Sequence, residues 1–448
     1  MSSLVELLGA FMINWSCFLV APLSLTREDT RCSQHSQSWK SWTLRLAESG
    51  QAALEEATRF FLPGCRDFFM PMSRELENSS RWTFFPIMWP ELLGPDANPW
   101  ARVEWVDLLW MEVHPLLLIK VSGNRPFNPD DVKWVATTAA SWHPVHPGAS
   151  PATWRIGGRE LHLRQWILGD VLALPAERWD DIDGRVHWFG QNLPCFNLCH
   201  SEAGWPEEGV RDDLMLHLAL GMATWREEFG PDATTRKTIL NHHLQEWENW
   251  RLYEWRNRLT LFLAGKATHG QPRNTETYYS LLFAAVCYQR VRLTDFLDQA
   301  AGPGAGIAKL RNSFAAFRRQ YLPHRVTTYV MGDRIYDLLR AANRLPEIQK
   351  EIEEQIRLAD EAERLDLGRQ ENLTMIVLTT VAALFLPASL LTGAFGMNKI
   401  SDLTLEPVFW WGLLAAYVLG AVLVGALTIA FGRYRLLPKL SALLLGRN

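Results

Sequence analysis

The sequence predicts an α/β cytoplasmic domain, a long stalk helix and two C-terminal transmembrane helices. Three observations lead there. Two uncharged apolar runs, residues 373–397 and 407–432, sit close to the C-terminus, and each exceeds the roughly 20 residues a helix needs to cross a bilayer. The charged stretch ahead of them repeats Ile348, Ile352, Ile356, Ala359 and Ala362 at helical spacing. Between residues 100 and 190 the apolar positions alternate as in strands, with Pro144, Pro147, Gly148 and Pro151 between the runs.

The N-terminal part is large enough to bury a core of its own, and charged residues at 21% of the chain exclude a bundle made only of membrane helices. A net charge of −4 gives no reason to expect nucleic acid as a partner. Residues 7–25 are uncharged, but Glu6 stands where a signal peptide is basic, and Asn14, Ser16 and Pro22 weaken a membrane span. A buried or interfacial helix is expected there. Nineteen of the 21 tryptophans lie before residue 256, which points to an aromatic-rich core rather than a sugar-binding surface.

Strands are expected at 102–113, 116–121, 160–167 and 185–189. Six scattered cysteines suit a reducing compartment. Cys195, Cys199 and His200 form a C-x3-C-H cluster, but Pro194 and Asn197 suggest a loop and the spacing matches no strong zinc signature, so structural cysteines are expected. After Pro206 the texture turns helical, with helices expected at 207–229, 234–264, 275–301 and 307–321. From Glu347 no helix breaker occurs until Gly368, and nine acids and four bases fill the segment to Glu371. A helix over 347–396 would be roughly 75 Å long at 1.5 Å per residue. Such a rod calls for packing against copies of itself.

These readings divide the chain into an α/β domain (1–265, with 1–100 poorly assigned), a helical region (266–346), the stalk (347–372), the first transmembrane helix (373–397), an outer link (398–406), the second transmembrane helix (407–432) and a basic tail (433–448). Arg433, Arg435, Lys439 and Arg447 follow the second run without acids, while the link carries Lys399 against Asp402 and Glu406. The positive-inside rule puts both termini in the cytoplasm and the link outside, as for a two-span protein of a bacterial inner or plasma membrane.

On the first membrane helix, steps of three and four pick out Asn372, Met375, Thr379, Ala382, Leu386, Ser389 and Gly393. Polar side chains in a bilayer turn toward protein or water, so a ring of helices with this stripe around an aqueous axis is one reading. In the other, Thr379 and Ser389 bond their own backbone carbonyls and the small residues aid packing. Gly393 and Gly396 allow close approach and an end to the helix. Asn398 then offers a neutral carboxamide oxygen, and several copies would form an oxygen collar suited to hydrated Mg²⁺, a hard ion that dehydrates reluctantly. Asp402 and Glu406 add negative charge at the outer mouth.

Thr374, the Phe385-Leu386-Pro387 step and the run Thr392-Gly393-Ala394-Phe395-Gly396-Met397-Asn398, followed by a second apolar run and a basic end, resemble the signature of the CorA family of magnesium transporters. The resemblance covers about the last 75 residues and, less closely, the stalk, and leaves the first 200 residues unmatched. It implies a funnel-shaped homopentamer with a cytoplasmic α/β domain, Gly396, Met397 and Asn398 as the selectivity loop, and a pore lined by Asn372, Met375, Leu378, Thr379, Ala382, Leu386, Ser389 and Gly393. Leu378 and Leu386 would be apolar constrictions. Glu354, Asp360, Glu361 and Asp366 resemble regulatory cytoplasmic metal ligands in kind. Lys399, beside the mouth, departs from the family pattern.

The function expected is passive, gated passage of Mg²⁺, with Co²⁺ or Ni²⁺ as further cargo, through a homopentamer in a lipid bilayer, with no catalytic residues and no cofactor beyond the ion. A zinc transporter of the ZntB type is the alternative, with His143, His146, His242 and His243 as zinc contacts outside the membrane part. A membrane-anchored enzyme or interaction protein is the alternative of another class. Against it, the chain has no nucleophile elbow, no H-E-x-x-H and no phosphate-binding loop.

Overall fold

Strand β1 (Asn14–Pro22) runs through the middle of a mixed sheet and is buried along nearly its whole length. The computed structural model describes residues 11–26, 39–41, 59–62, 80–111 (87 apart), 114–143, 152–221 (191 apart), 231–266, 278–302 and 306–396, with scattered positions elsewhere. Residues up to Ile356 form one compact unit and those from Arg357 a second.

The remaining strands are β2 (Trp39–Ser41), β3 (Ser80–Phe84), β4 (Glu91–Leu93), β5 (Pro99–Met111), β6 (His114–Gly123), β7 (Trp154–Ile156), β8 (Arg159–Leu161), β9 (Cys195–Ser201), β10 (His243–Trp247), β11 (Trp250–Trp255) and β12 (Arg258–Ala264). Their order is β10-β11-β12-β9-β1-β6-β5-β4-β7-β8, with β3 also on β5 and β2 on β3. The pairing of β9 with β12 is parallel, and the other pairings are antiparallel. The 13-residue β5 is long enough to take β4 and β3 in succession along one edge while β6 fills the other.

Among the described residues the seven longer helices are α1 (Pro129–Ala139), α2 (Glu208–Leu220), α3 (Ala233–Asn241), α4 (Ser280–Ala301), α5 (Ile307–Tyr321), α6 (Val330–Ala342) and α7 (Leu345–Gly396). Asn128 caps α1 by accepting from the Asp131 amide at 2.8 Å, ahead of Pro129 in the first turn.

The sheet has a hydrophobic core on each face, which makes the unit an α/β fold. Phe18 and Val20 of β1 join Leu252, Leu259 and Leu261 against α4, α5, α6 and the first turns of α7. Cys17, Leu19 and Ala21 face the other way, onto α1, α2 and the helical turns of residues 163–189. Trp110, Trp154, Trp166 and Trp250 are fully buried, so these tryptophans serve packing as expected, whereas Trp247 is 47% exposed.

Several expected elements are corrected. The described part of 7–25 is a strand and no helix, because cover on both faces makes a central strand read as a continuous apolar run. Residues 160–167 contain only the end of β8 before a helical turn, and Gly184–Phe189 is a 3-10 helix. Within 234–264 only α3 is helical, and β10 to β12 follow it. Cys195–Ser201 is a strand and no loop, and its cysteines are buried and free.

Candidate functional site

Helix α7 runs without interruption from Leu345 to Gly396, through both Gly368 and Pro387. Pro346 lies in its first turn, where the missing N–H costs nothing. Its base is anchored in the first unit by Leu345, Ile352 and Ile356, all buried in the core shared with α4 to α6. Beyond Ile356 the described side chains with burial assigned are half-buried or exposed, and from Arg369 all are exposed.

At roughly 100° per residue, Asn372, Met375, Thr379, Ala382, Leu386, Ser389 and Gly393 fall within one arc of about a quarter turn, and Leu378 borders it. The described members of this arc are all exposed, including Met375, Leu378 and Leu386. Apolar side chains off the arc are equally uncovered: Ile376, Val377, Val381 and Phe385. The helix is thus largely apolar, with Asn372, Thr379 and Ser389 on one side and Thr374, Thr380 and Thr392 off that arc.

Three hydroxyls of this helix donate to their own backbone. Thr374 Oγ1 donates to the Gln370 carbonyl at 2.9 Å, Thr379 Oγ1 to that of Met375 at 2.7 Å and Ser389 Oγ to that of Leu386 at 2.9 Å. Such back-bonding uses the single O–H, yet each oxygen keeps acceptor capacity for another partner. Pro387 has no N–H to offer the carbonyl four residues earlier, so the segment near Ser389 is the natural place for local rearrangement.

Among the described residues no helix is long and apolar enough to cross a membrane. The side chains at 380, 383–384, 387–388 and 390–396, and nearly all of 407–432, lie outside the described residues. Met397, Asn398, Asp402 and Glu406 also lie outside them, while Gly396 ends the helix.

Of the four stalk acids, Glu361 pairs with Arg357 at 3.3 Å and Asp366 with Arg369 at 3.2 Å. Glu354 and Glu361 share a face two turns apart, while Asp360 and Asp366 point elsewhere. Among the described residues these acids are not gathered into a set of metal ligands. Nor are Cys195, Cys199 and His200: the alternation of β9 sends the cysteines to one face, and the His200 ring contacts the Gly265 carbonyl at 3.0 Å.

The other singled-out histidines separate as well. His242 faces Glu254 at 3.3 Å, His243 contacts the Leu240 carbonyl at 2.9 Å and His146 lies outside the described residues. His143 alone sits in a group of ligating side chains, with Asp183 and His187. The D-x3-H spacing of the latter two was a legible helical signal, and their closeness to His143 was not.

Residues 304–432 match the model of a family described as CorA-like Mg²⁺ transporter protein. No curated protein matches the chain. A solved structure described as the full-length CmaX protein is similar over 54% of this chain and 89% of that one, at 18% identity and a TM-score of 0.22, too low a likeness to support a conclusion about this chain.

Proposed function

We propose that this chain, whose residues 304–432 match the family model of CorA-like Mg²⁺ transporter protein, is a membrane channel for divalent cations with Mg²⁺ as its principal cargo. The observation that carries the reading is α7 itself: one unbroken helix that leaves a buried root, becomes largely apolar and exposed, and places Asn372, Thr379 and Ser389 on one narrow arc. Exposed apolar surface of that extent calls for lipid or further protein around it. Lipid on the outer faces and symmetric copies around the polar arc satisfy both demands.

In this reading residues 373–397 and 407–432 span the bilayer, both termini are cytoplasmic and five copies enclose the pore. Asn372, Thr379 and Ser389 hold water around the passing ion, Leu378 and Leu386 narrow the path, and Gly396, Met397 and Asn398 meet the hydrated ion at the mouth. The ion enters down the potential: two charges gain about 4.6 kcal/mol per 100 mV, inside negative. Glu354, Asp360, Glu361 and Asp366, dispersed along one chain, would act only between neighbouring copies, where bound metal holds the pore closed.

The test is flux through purified full-length protein in liposomes, with Mg²⁺ and Zn²⁺ compared with and without a pH gradient. Potential-driven Mg²⁺ entry that Asn398→Ala abolishes is the expected result. Zn²⁺ entry that depends on the pH gradient would make the chain a zinc transporter of the ZntB type. Absence of any flux would make the C-terminal region an anchor.

A further inference from the structure

The geometry points to a transition-metal site in the first unit, formed by His143, Asp183 and His187. One ligand atom from each of the three lies within 4.8 Å of the others. His143 Nε2 and Asp183 Oδ2 are 3.8 Å apart, and the two imidazoles stack at 4.4 Å with 12° between their planes. Zinc bonds of roughly 2.0–2.2 Å place neighbouring ligand atoms about 3.3–3.6 Å apart. Stacked rings cannot both aim an in-plane nitrogen at one ion, so the group closes when the exposed His187 rotates out of the stack toward His143 and Asp183.

An unsatisfied atom marks the site independently of the spacing. His143 Nε2 is buried and makes no hydrogen bond. A buried polar nitrogen left in that condition is costly, and native structures rarely keep one without a reason. The Asp183 oxygen it faces is too distant to accept a hydrogen bond. Nor does that carboxylate need His143: Oδ2 accepts from Trp142 Nε1 at 2.9 Å and Arg164 Nε at 2.6 Å, and Oδ1 accepts from Arg164 Nη2 at 3.3 Å. These donors fix the carboxylate as outer-shell groups fix a metal ligand. The guanidinium charge works against a cation, but is shared with Asp180 at 2.7 Å.

The local fold supplies the positions. His143 follows Trp142 just past the end of α1, and the indole of Trp142 ties that segment to Asp183. Asp183 ends the short helix Trp179–Asp183, and His187 lies one turn on in Gly184–Phe189. Two neutral imidazoles and one carboxylate are a zinc-type donor set that cobalt and nickel also accept, whereas Mg²⁺ favours oxygen donors throughout. The exposed side at His187 leaves a position for water.

The site is separate from the pore helix and stands whether or not the transport reading does. Full-length protein in detergent is stripped of metal and titrated with Zn²⁺ against a chromophoric chelator, in excess Mg²⁺ to occupy oxygen-only sites. One Mg²⁺-resistant zinc per chain is expected. His187→Ala, at an exposed position, and His143→Gln should each weaken it by at least about tenfold, with unchanged circular dichroism. Visible absorption from added Co²⁺ should disappear in the same variants. A wild-type chain that takes up no Mg²⁺-resistant zinc, or His187→Ala protein that binds it unchanged, overturns the proposal.

Discussion

Asp107 on β5 and Arg81 on β3 form a buried ion pair, with Arg81 Nε donating to Asp107 Oδ2 at 2.8 Å. Thr83, directly opposite Asp107 in the strand register, donates to Oδ1 at 2.6 Å. Asp107 is fully buried and Arg81 is 6% exposed. The Coulombic gain of such a pair is largely offset by desolvation, but removing one partner leaves a bare charge inside.

Asp107→Ala should therefore destabilise the first unit by about 3–5 kcal/mol. The double replacement Arg81→Met with Asp107→Leu should cost far less. Urea denaturation followed by tryptophan fluorescence measures both. A single variant that unfolds with the wild-type midpoint would show that the pair is open to water.

Glu254 on β11 makes stability depend on pH. It is 1% exposed, neither oxygen accepts a hydrogen bond, and the His242 ring facing it at 3.3 Å lies off the hydrogen-bonding direction. Burial pushes its pKa from 4.5 up to about 9. The folded chain keeps a proton there that the unfolded chain releases, so the contribution is complete below 4.5 and is lost as pH rises toward 9. Melting temperature should fall between pH 6 and pH 8.5, and Glu254→Gln should flatten the fall. A wild-type profile matching that of the variant would place an ionised, compensated carboxylate at this position.

The root of α7 offers a comparison of magnitudes. Arg318 on α5 reaches Glu353 at 2.8 Å, but both side chains are about half exposed, so the pair should contribute under about 1 kcal/mol. Ile352, one residue away, is fully buried, and truncating a buried isoleucine costs about 2–5 kcal/mol. Ile352→Ala should lower the unfolding midpoint clearly while Arg318→Ala leaves it nearly unchanged. The reverse order would mean that charge, not packing, seats the helix.

What the sequence revealed follows from which signals are local. Helix α5 begins and ends as expected because Leu310, Phe314, Phe317 and Tyr321 recur at helical spacing on its one buried face. Helix α7 was legible from its charges and its lack of breakers. Strand β12 was not: all seven of its residues are buried, which erases alternation. Asn197 suggested a loop, yet it is buried on β9 with Oδ1 accepting from the Trp15 indole at 3.2 Å, a partner 182 positions away. Helix α6 falls within the helical region expected over 266–346 but without bounds of its own, although Ile335, Tyr336 and Leu339 mark its buried face. The polar arc on α7 was readable because it lies within one helix. The His143 group is assembled by tertiary contact over about 40 positions, and no local pattern carries that.

The polar arc gives the sharpest remaining test, because its hydroxyls have two roles that substitution separates. Thr379 and Ser389 each donate inward to a backbone carbonyl while both residues stay exposed. The inward bond contributes little to helix stability and bends the helix slightly at most. Thr379→Val with Ser389→Ala should leave helix content and assembly size unchanged, as judged by circular dichroism and gel filtration in detergent. If the oxygens hold water along a pore, losing them removes roughly 1 kcal/mol of stabilisation each, and Mg²⁺ flux into liposomes should fall more than about tenfold. Unchanged flux with unchanged assembly would assign these hydroxyls to their own backbone alone, and the ion would then have to pass along a different face of the helix.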